Sequence, residues 1–166
     1  ARKARAPEPL LRYIEDLYKR SYTRLRLGTS ESSEIRVTCG VRQGDPLSGW
    51  IFNSVIDWGL SELDPHIGFQ LAEAIVSALA FADDVVLFSS TKAGLQAQID
   101  VFTSNLRKFG LEINGAKCSS VAIVVDGKKK KWVCDETPAF TVNGQNIPAL
   151  SITGTYKYLG ILVSAS

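Results

Sequence analysis

The sequence predicts an α+β fold, two layers built on a split βαβ unit. Three observations predict it. The central order reads helix (47–63), strand, Asp-Asp turn, strand, helix (91–109), strand, and one further strand ahead of it completes β-α-β-β-α-β. Leu95, Ile99, Phe102, Leu106 and Phe109 recur at alternating steps of four and three, the signature of one apolar helical stripe. Between the helices, Val76–Phe88 places two short apolar runs on either side of Asp83 and Asp84. Each run is too brief for a helix and holds β-branched or aromatic residues, so strand–turn–strand is the economical reading. Asp is a poor strand residue and a good turn residue, which puts both carboxylates at the tip. Two carboxylates held together with no neighbouring cation repel, which favours a shared proton or a bound metal; the alternative is an ordinary surface turn.

Composition sets the bounds. The chain has 166 residues, enough for one domain with a core, and 45% hydrophobic against 22% charged residues is ordinary for a globular protein. The longest largely apolar run, Ala74–Ala82, falls well short of the ~20 residues that cross a bilayer. The chain begins with Ala and contains no Met, as expected of a piece of a longer protein. Cys39, Cys118 and Cys134 have no CxxC spacing and His66 stands alone, which speaks against structural zinc and against a triad built on any other histidine. The cysteines read as thiols of an intracellular protein. Net charge is +2, unevenly placed: residues 1–36 carry nine bases and five acids, the rest ten bases and twelve acids. A basic first third beside an acidic centre suits a protein that grips a polyanion; a solvated basic helix would show the same imbalance.

The elements follow in order. Ala1–Ala6 is small and basic. Pro7-Glu8-Pro9 opens a helix, Pro suiting the first turn and Glu the dipole, and Leu10, Ile14, Leu17 and Tyr18 continue it. Tyr22–Leu27 and Glu34–Cys39 alternate with period two around a turn at 28–33, giving a hairpin on which Arg24, Arg26 and Arg36 suit a phosphate backbone or a plain solvated face. Gly40–Gly49 is a loop in which Gly40 and Gly44 allow close backbone approach, and Asp45-Pro46 makes an N-cap and first-turn pair for the helix that follows. Ser90-Thr91 caps the third helix and Gly110 ends it. Leu111–Asn114 and Ser120–Val125 read as strands, Lys128–Lys131 as a solvated turn, Asn143-Gly144 as a hairpin turn, and Tyr156–Val163 as a final strand.

Four stretches together carry a family resemblance. Phe81-Ala82-Asp83-Asp84 resembles the aromatic-x-Asp-Asp box of reverse transcriptases, and Arg42-Gln43-Gly44-Asp45-Pro46-Leu47-Ser48 their RQGxPLS box. Gly110–Asn114 with Lys117 resembles the GLxxNxxK box, and Tyr158-Leu159-Gly160 the YLG box. The order and spacing match as well. The forms are similar to those of non-LTR retrotransposons and, less closely, group II intron proteins. Pro9–Ile14 and Val76–Ala80 most resemble the R-two clade, whose elements insert in ribosomal RNA genes.

The resemblance implies a polymerase palm with part of the fingers. Residues 1–39 would hold a helix and the fingers hairpin, 40–125 the palm core, and 126–166 the palm end and primer grip. Asp83 and Asp84 would hold two magnesium ions (Mg2+) that activate the primer 3′-hydroxyl and clamp the triphosphate. Phe81 and Ala82 would lie near the primer end and incoming nucleotide, and Arg42, Gln43 and Gly44 would line the nucleotide and template pocket. Lys117 would offset charge, or donate a proton, at the departing pyrophosphate. Tyr158, Leu159 and Gly160 would belong to the primer grip, and the hairpin of residues 22–39 would touch template. The implied partners are an RNA template, a DNA primer, dNTPs and the remaining domains of a parent polyprotein, with no membrane. The full-length parent would act inside the cell, in the nucleus.

One departure stands against these matches. The family places another metal-binding Asp on the first palm strand, and the early acids here are Glu8, Glu15 and Asp16, the last two in a helical pattern. The expectation is a chain that starts after that strand, is inactive alone, and exposes a sheet edge. The alternatives are a non-catalytic nucleic-acid-binding remnant of the same fold, against which intact Asp83, Asp84, Gln43 and Lys117 argue, and a maturase- or telomerase-type enzyme. An RNA-templated RNA polymerase typically has Gly where this chain has Ala82.

Overall fold

A computed structural model describes residues 6–38, 40–128, 130–137 and 139–164. Ala1–Arg5 of the basic start, Cys39 and Lys129 of the lysine run lie outside the described residues. The chain is α+β, with three α-helices and a series of β-hairpins among the described residues. It forms two compact units, Ala1–Val55 and Ile56–Ser166.

In the first unit, α1 (Glu8–Lys19) starts behind Pro7 without a side-chain cap, and Leu11 is its buried residue. All three early acids lie on this helix; Glu8 pairs with Arg12 and Glu15 with Lys19, one turn apart. The predicted strand at 22–27 is interrupted. β1 (Tyr22–Thr23) pairs with β4 (Ile35–Arg36), and β2 (Arg26–Leu27) with β3 (Ser30–Glu31). The break has a local cause: the Leu25 amide donates to the Ser32 hydroxyl at 3.0 Å, a side-chain acceptor where a continuous ladder would offer a carbonyl. The turn is also tighter than the expected 28–33, since Leu27 and Ser30 pair across Gly28-Thr29. Nor are the arginines equally free. Arg24 is 2.8 Å from Glu34 and 3.8 Å from Glu31, which also lies 3.9 Å from Arg26.

α2 (Pro46–Ser61) begins as expected, the Asp45 carboxylate accepting the Leu47 amide at 2.9 Å. In the second unit Ile56 and Leu63 are buried, and Gly59 lets α2 close on α3 (Lys92–Arg107): a Cβ there would lie 3.0 Å from the Phe102 ring. Trp58 meets Phe109 edge-on at 5.1 Å. α3 is capped by the Thr91 hydroxyl, which accepts from Gly94 N–H at 3.0 Å, and is followed by Gly110 at φ +73°. Of the expected apolar stripe, Ile99, Phe102 and Leu106 are buried and Leu95 packs against the core, whereas Phe109 lies beyond the end of the helix and is exposed.

The hairpins of this unit are β5–β6 (Phe69–Leu71, Ala74–Val76), β7–β8 (Ala78–Phe81, Asp84–Leu87), β9–β10 (Ile123–Asp126, Lys131–Cys134), β11–β12 (Thr141–Val142, Gln145–Asn146) and β13–β14 (Thr155–Tyr158, Ile161–Ser164). Among the described residues every sheet has two strands, so the expected multi-stranded sheet is replaced by separate ladders. One reason is that Leu111–Asn114, expected as a strand, spends its backbone groups elsewhere. The Leu111 amide donates to the Leu106 carbonyl, and the Ile113 carbonyl accepts the Asn143 amide group at 3.2 Å. The final strand is likewise a hairpin, turning at Leu159-Gly160, whose φ values of +49° and +84° suit a type I′ turn. The core lies where α3 meets β11–β12: Ile99, Phe140, Val142 and Ile147 are buried together, with Leu87, Leu95 and Ile113 packed against them. Gln96 ties the two by mimicking a strand, donating to the Thr141 carbonyl at 3.0 Å and accepting the Thr141 amide at 2.9 Å.

Candidate functional site

The β7–β8 hairpin pairs Ala78 with Leu87 at its base and Phe81 with Asp84 at its end, leaving Ala82-Asp83 as a two-residue tip. Asp83 is therefore in the turn and Asp84 opens β8. Ala82 has φ +53°, the left-handed region that costs a residue with a Cβ about 1 kcal/mol or more. The base is anchored: Phe88 N–H donates to the Ser77 carbonyl at 2.8 Å, and the Ser89 hydroxyl to the Ile67 carbonyl at 2.7 Å. Phe81, Ala82, Asp83 and Asp84 are all exposed at the far end, whereas Leu87 joins the core. The hairpin thus carries its acids away from the apolar interior.

Neither carboxylate has a hydrogen bond or an ion pair among the described residues, so their oxygens are available to a hard cation. Two adjacent oxygen donors fit part of a magnesium shell. No third His, Cys, Asp or Glu stands with them among the described residues.

The other predicted residues fall on three separate features. In the unit Ala1–Val55, Arg42, Gln43 and Gly44 lie exposed on the loop before α2, with Gly44 at φ +83°. Buried Ser48 clamps that loop by donating its hydroxyl hydrogen to the Arg42 carbonyl. The Arg42, Gln43 and Gly44 side of the loop is left facing outward.

In the unit Ile56–Ser166, Lys117 ends a 3-10 turn, Gly115–Lys117, capped by the Asn114 side chain accepting from Ala116 N–H at 3.1 Å. Gly115 is buried, and a Cβ there would lie 2.8 Å from Val142. The Asn and the exposed Lys117 of that box are thus held by one tight turn. Tyr158, Leu159 and Gly160 form the β13–β14 turn, and the Tyr156 hydroxyl of that hairpin donates to the Lys117 carbonyl at 3.2 Å. So the structure joins the Lys117 turn to the Tyr158–Gly160 hairpin. No hydrogen bond or ion pair joins Asp83 or Asp84 to either, among the described residues.

Sequence reasoning missed Ser48, Tyr156 and Gln96. Ser48 stood inside a recognised box, and its neighbour at the N-cap was the only signal for its role. Tyr156 and Gln96 act through tertiary contacts that no local spacing announces. Burial pushes the Cys118 thiol up from its ordinary value.

Residues 2–163 match the family model described as reverse transcriptase (RNA-dependent DNA polymerase). The chain is 38% identical over 164 residues to the Retrovirus-related Pol polyprotein from type-1 retrotransposable element R2 of Nasonia vitripennis, covering 99% of this chain and 16% of that protein. It is 40% identical over 161 residues to the Pol polyprotein from type-2 retrotransposable element R2DM of Drosophila melanogaster, covering 97% of this chain and 15% of the relative. A third R2 Pol polyprotein, from Bradysia coprophila, is 33% identical over 165 residues. The chain therefore spans less than a fifth of the length of these relatives.

Proposed function

Since the chain belongs to the reverse transcriptase (RNA-dependent DNA polymerase) family, we propose that it is the catalytic centre of an enzyme that copies retrotransposon RNA into DNA. The observation that carries the proposal is the tip of β7–β8, where Asp83 and Asp84 stand adjacent, exposed and without a partner among the described residues. Asp83 and Asp84 would hold divalent magnesium, two ions in all, with a third carboxylate supplied by a further part of the parent polypeptide. When bound, such ions stabilise the charge that develops as a primer 3′-hydroxyl displaces pyrophosphate.

The chain's own residues have the remaining tasks. Phe81 and Ala82 flank the acids and would border the primer end and incoming nucleotide. Gln43 and Gly44, on a loop clamped from behind by Ser48, would line the nucleotide and template pocket beside Arg42. Lys117 presents its ammonium from a rigid turn and would offset charge, or give up a proton, at the leaving pyrophosphate. Tyr158, Leu159 and Gly160, at a turn tied to the Lys117 backbone, would steady the primer. Residues 1–39 would form the helix and fingers hairpin, 40–125 the palm core and 126–166 the palm end and primer-grip region. The full-length parent would work in the nucleus, with its other domains, on an RNA template and a DNA primer.

The test is RNA-templated DNA synthesis with magnesium by the parent polypeptide, beside its Asp83→Ala form. Loss of synthesis on the order of a thousandfold, with primer–template binding kept, is the expected result. Undiminished synthesis in Asp83→Ala overturns the role of the tip. Binding without extension in the unsubstituted protein makes the chain a nucleic-acid-binding remnant.

A further inference from the structure

A cleft of about 580 Å³ opens in the first unit between α1, the start of β1 and the loop before α2. Tyr13, Asp16, Leu17, Arg20, Ser21, Tyr22 and Arg42 line it. Of these, Arg42 alone lies in the Arg42–Ser48 box. Ser21 is buried and spends its hydroxyl on the Leu17 carbonyl at 2.8 Å, so it closes the floor and offers nothing to a ligand. Arg20 and Arg42 have no ion pair among the described residues, in contrast to Arg24 on the neighbouring hairpin. Tyr13 and Tyr22 are each 58% exposed, and the Arg24 guanidinium already lies 5.7 Å from the Tyr22 ring. The Tyr13 ring is the open aromatic surface.

We propose that this cleft seats one nucleotide unit of a single strand, its phosphodiester between Arg20 and Arg42 and its base against Tyr13. The inference rests on the polymerase reading for the identity of the strand as template or primer. Three features select it. Two guanidinium groups against the single carboxylate of Asp16 leave one net positive charge, a match for one phosphodiester and a poor one for the several charges of a free triphosphate. Arginine forks pair with phosphate oxygens, while exposed tyrosine stacks on any base. The volume lies within the ~300–1,000 Å³ typical of small-molecule sites, room enough for a base, sugar and phosphate.

The test measures binding of fluorescent ten-thymidine DNA to the 166-residue chain by anisotropy across a salt series. Arg20→Gln is expected to weaken binding and to lower the slope of log K against log salt by about 0.7, one phosphate contact on a single strand. Tyr13→Ala is expected to weaken binding about tenfold with the slope unchanged, since stacking releases no counterion. Arg20→Lys, which keeps the charge but loses the fork, should restore the slope and only part of the affinity. Arg107→Gln removes the same charge from the second unit and should leave the slope as it was. Equal behaviour of Arg20→Gln and Arg107→Gln overturns the cleft, as does absence of strand binding by the unsubstituted chain. Displacement of the strand by equimolar dTTP, lost in Arg20→Gln, overturns it in favour of a free nucleotide. None of these readings depends on DNA synthesis, so the polymerase reading can fail by its own Asp83→Ala assay while the cleft stands, and the reverse.

Discussion

Gln98 is the residue whose chemistry sits least comfortably in its place. It is 1% exposed on α3, and among the described residues neither its amide nitrogen nor its amide oxygen has a hydrogen-bond partner. A buried unpaired polar group costs about 1–3 kcal/mol. Gln98→Leu, of similar volume, should therefore stabilise the chain by about 1–2 kcal/mol, read as a rise of several degrees in thermal midpoint. An unchanged or lower midpoint would mean that the amide is satisfied in solution. Ala82 differs in kind. Its left-handed φ of +53° is a cost placed next to the paired acids, and strain of that sort collects where a site has to be held in one shape.

At the scale of elements, much was legible from side-chain pattern alone. Asp45-Pro46 announced the start of α2, Thr91 and Gly110 bracketed α3, and Asn143-Gly144 marked the β11–β12 turn. Legibility failed where a short segment had two uses for its backbone. Tyr156–Val163 alternates no differently as one strand or as two, and only the positive φ at Leu159 and Gly160 makes it fold back. Leu111–Asn114 has strand composition, but its groups serve the end of α3 and the Asn143 side chain. For the candidate site, the boxes single out Asp83, Asp84 and Lys117 by local pattern, while the Tyr156 link to Lys117 needs two segments 39 positions apart to meet.

The start of α3 offers a test at this scale. Lys92 pairs with Asp135, and that hydrogen bond, with the Thr137 amide, holds the Asp135 carboxyl down from 3.8 to about 2. Because the folded value is the lower one, the pair contributes fully above about pH 4 and its contribution is lost as pH falls toward 2. Asp135→Asn should remove that part of the acid slope in a pH series of unfolding midpoints, and added salt should shrink it in the parent chain.

For the whole molecule, the two units make separable claims. Phe140 is 2% exposed at the centre of the cluster that joins α3 to β11–β12. Phe140→Ala should cost about 3–5 kcal/mol. That is a large share of the stability of any domain this size. Amide exchange should then accelerate across residues 56–164 while the protected amides of α1 keep their rates. Uniform acceleration along the chain would mean that the units unfold as one.

The two-residue tip of β7–β8 has a consequence for how such a chain can vary. Phe81 and Asp84 close the turn directly, so the loop holds no slack. A single inserted or deleted residue at 82–83 must either give up the two-residue turn or slip the register of β8, and a slip turns its side chains to the opposite face, taking Leu87 out of the core. A point substitution in the tip leaves the backbone of the turn in place, whereas a change in its length does not. Among drifting copies of such a sequence, gaps should therefore accumulate in turns such as Asp126–Lys131 and stay out of Phe81–Asp84, even in copies whose acids have already been lost.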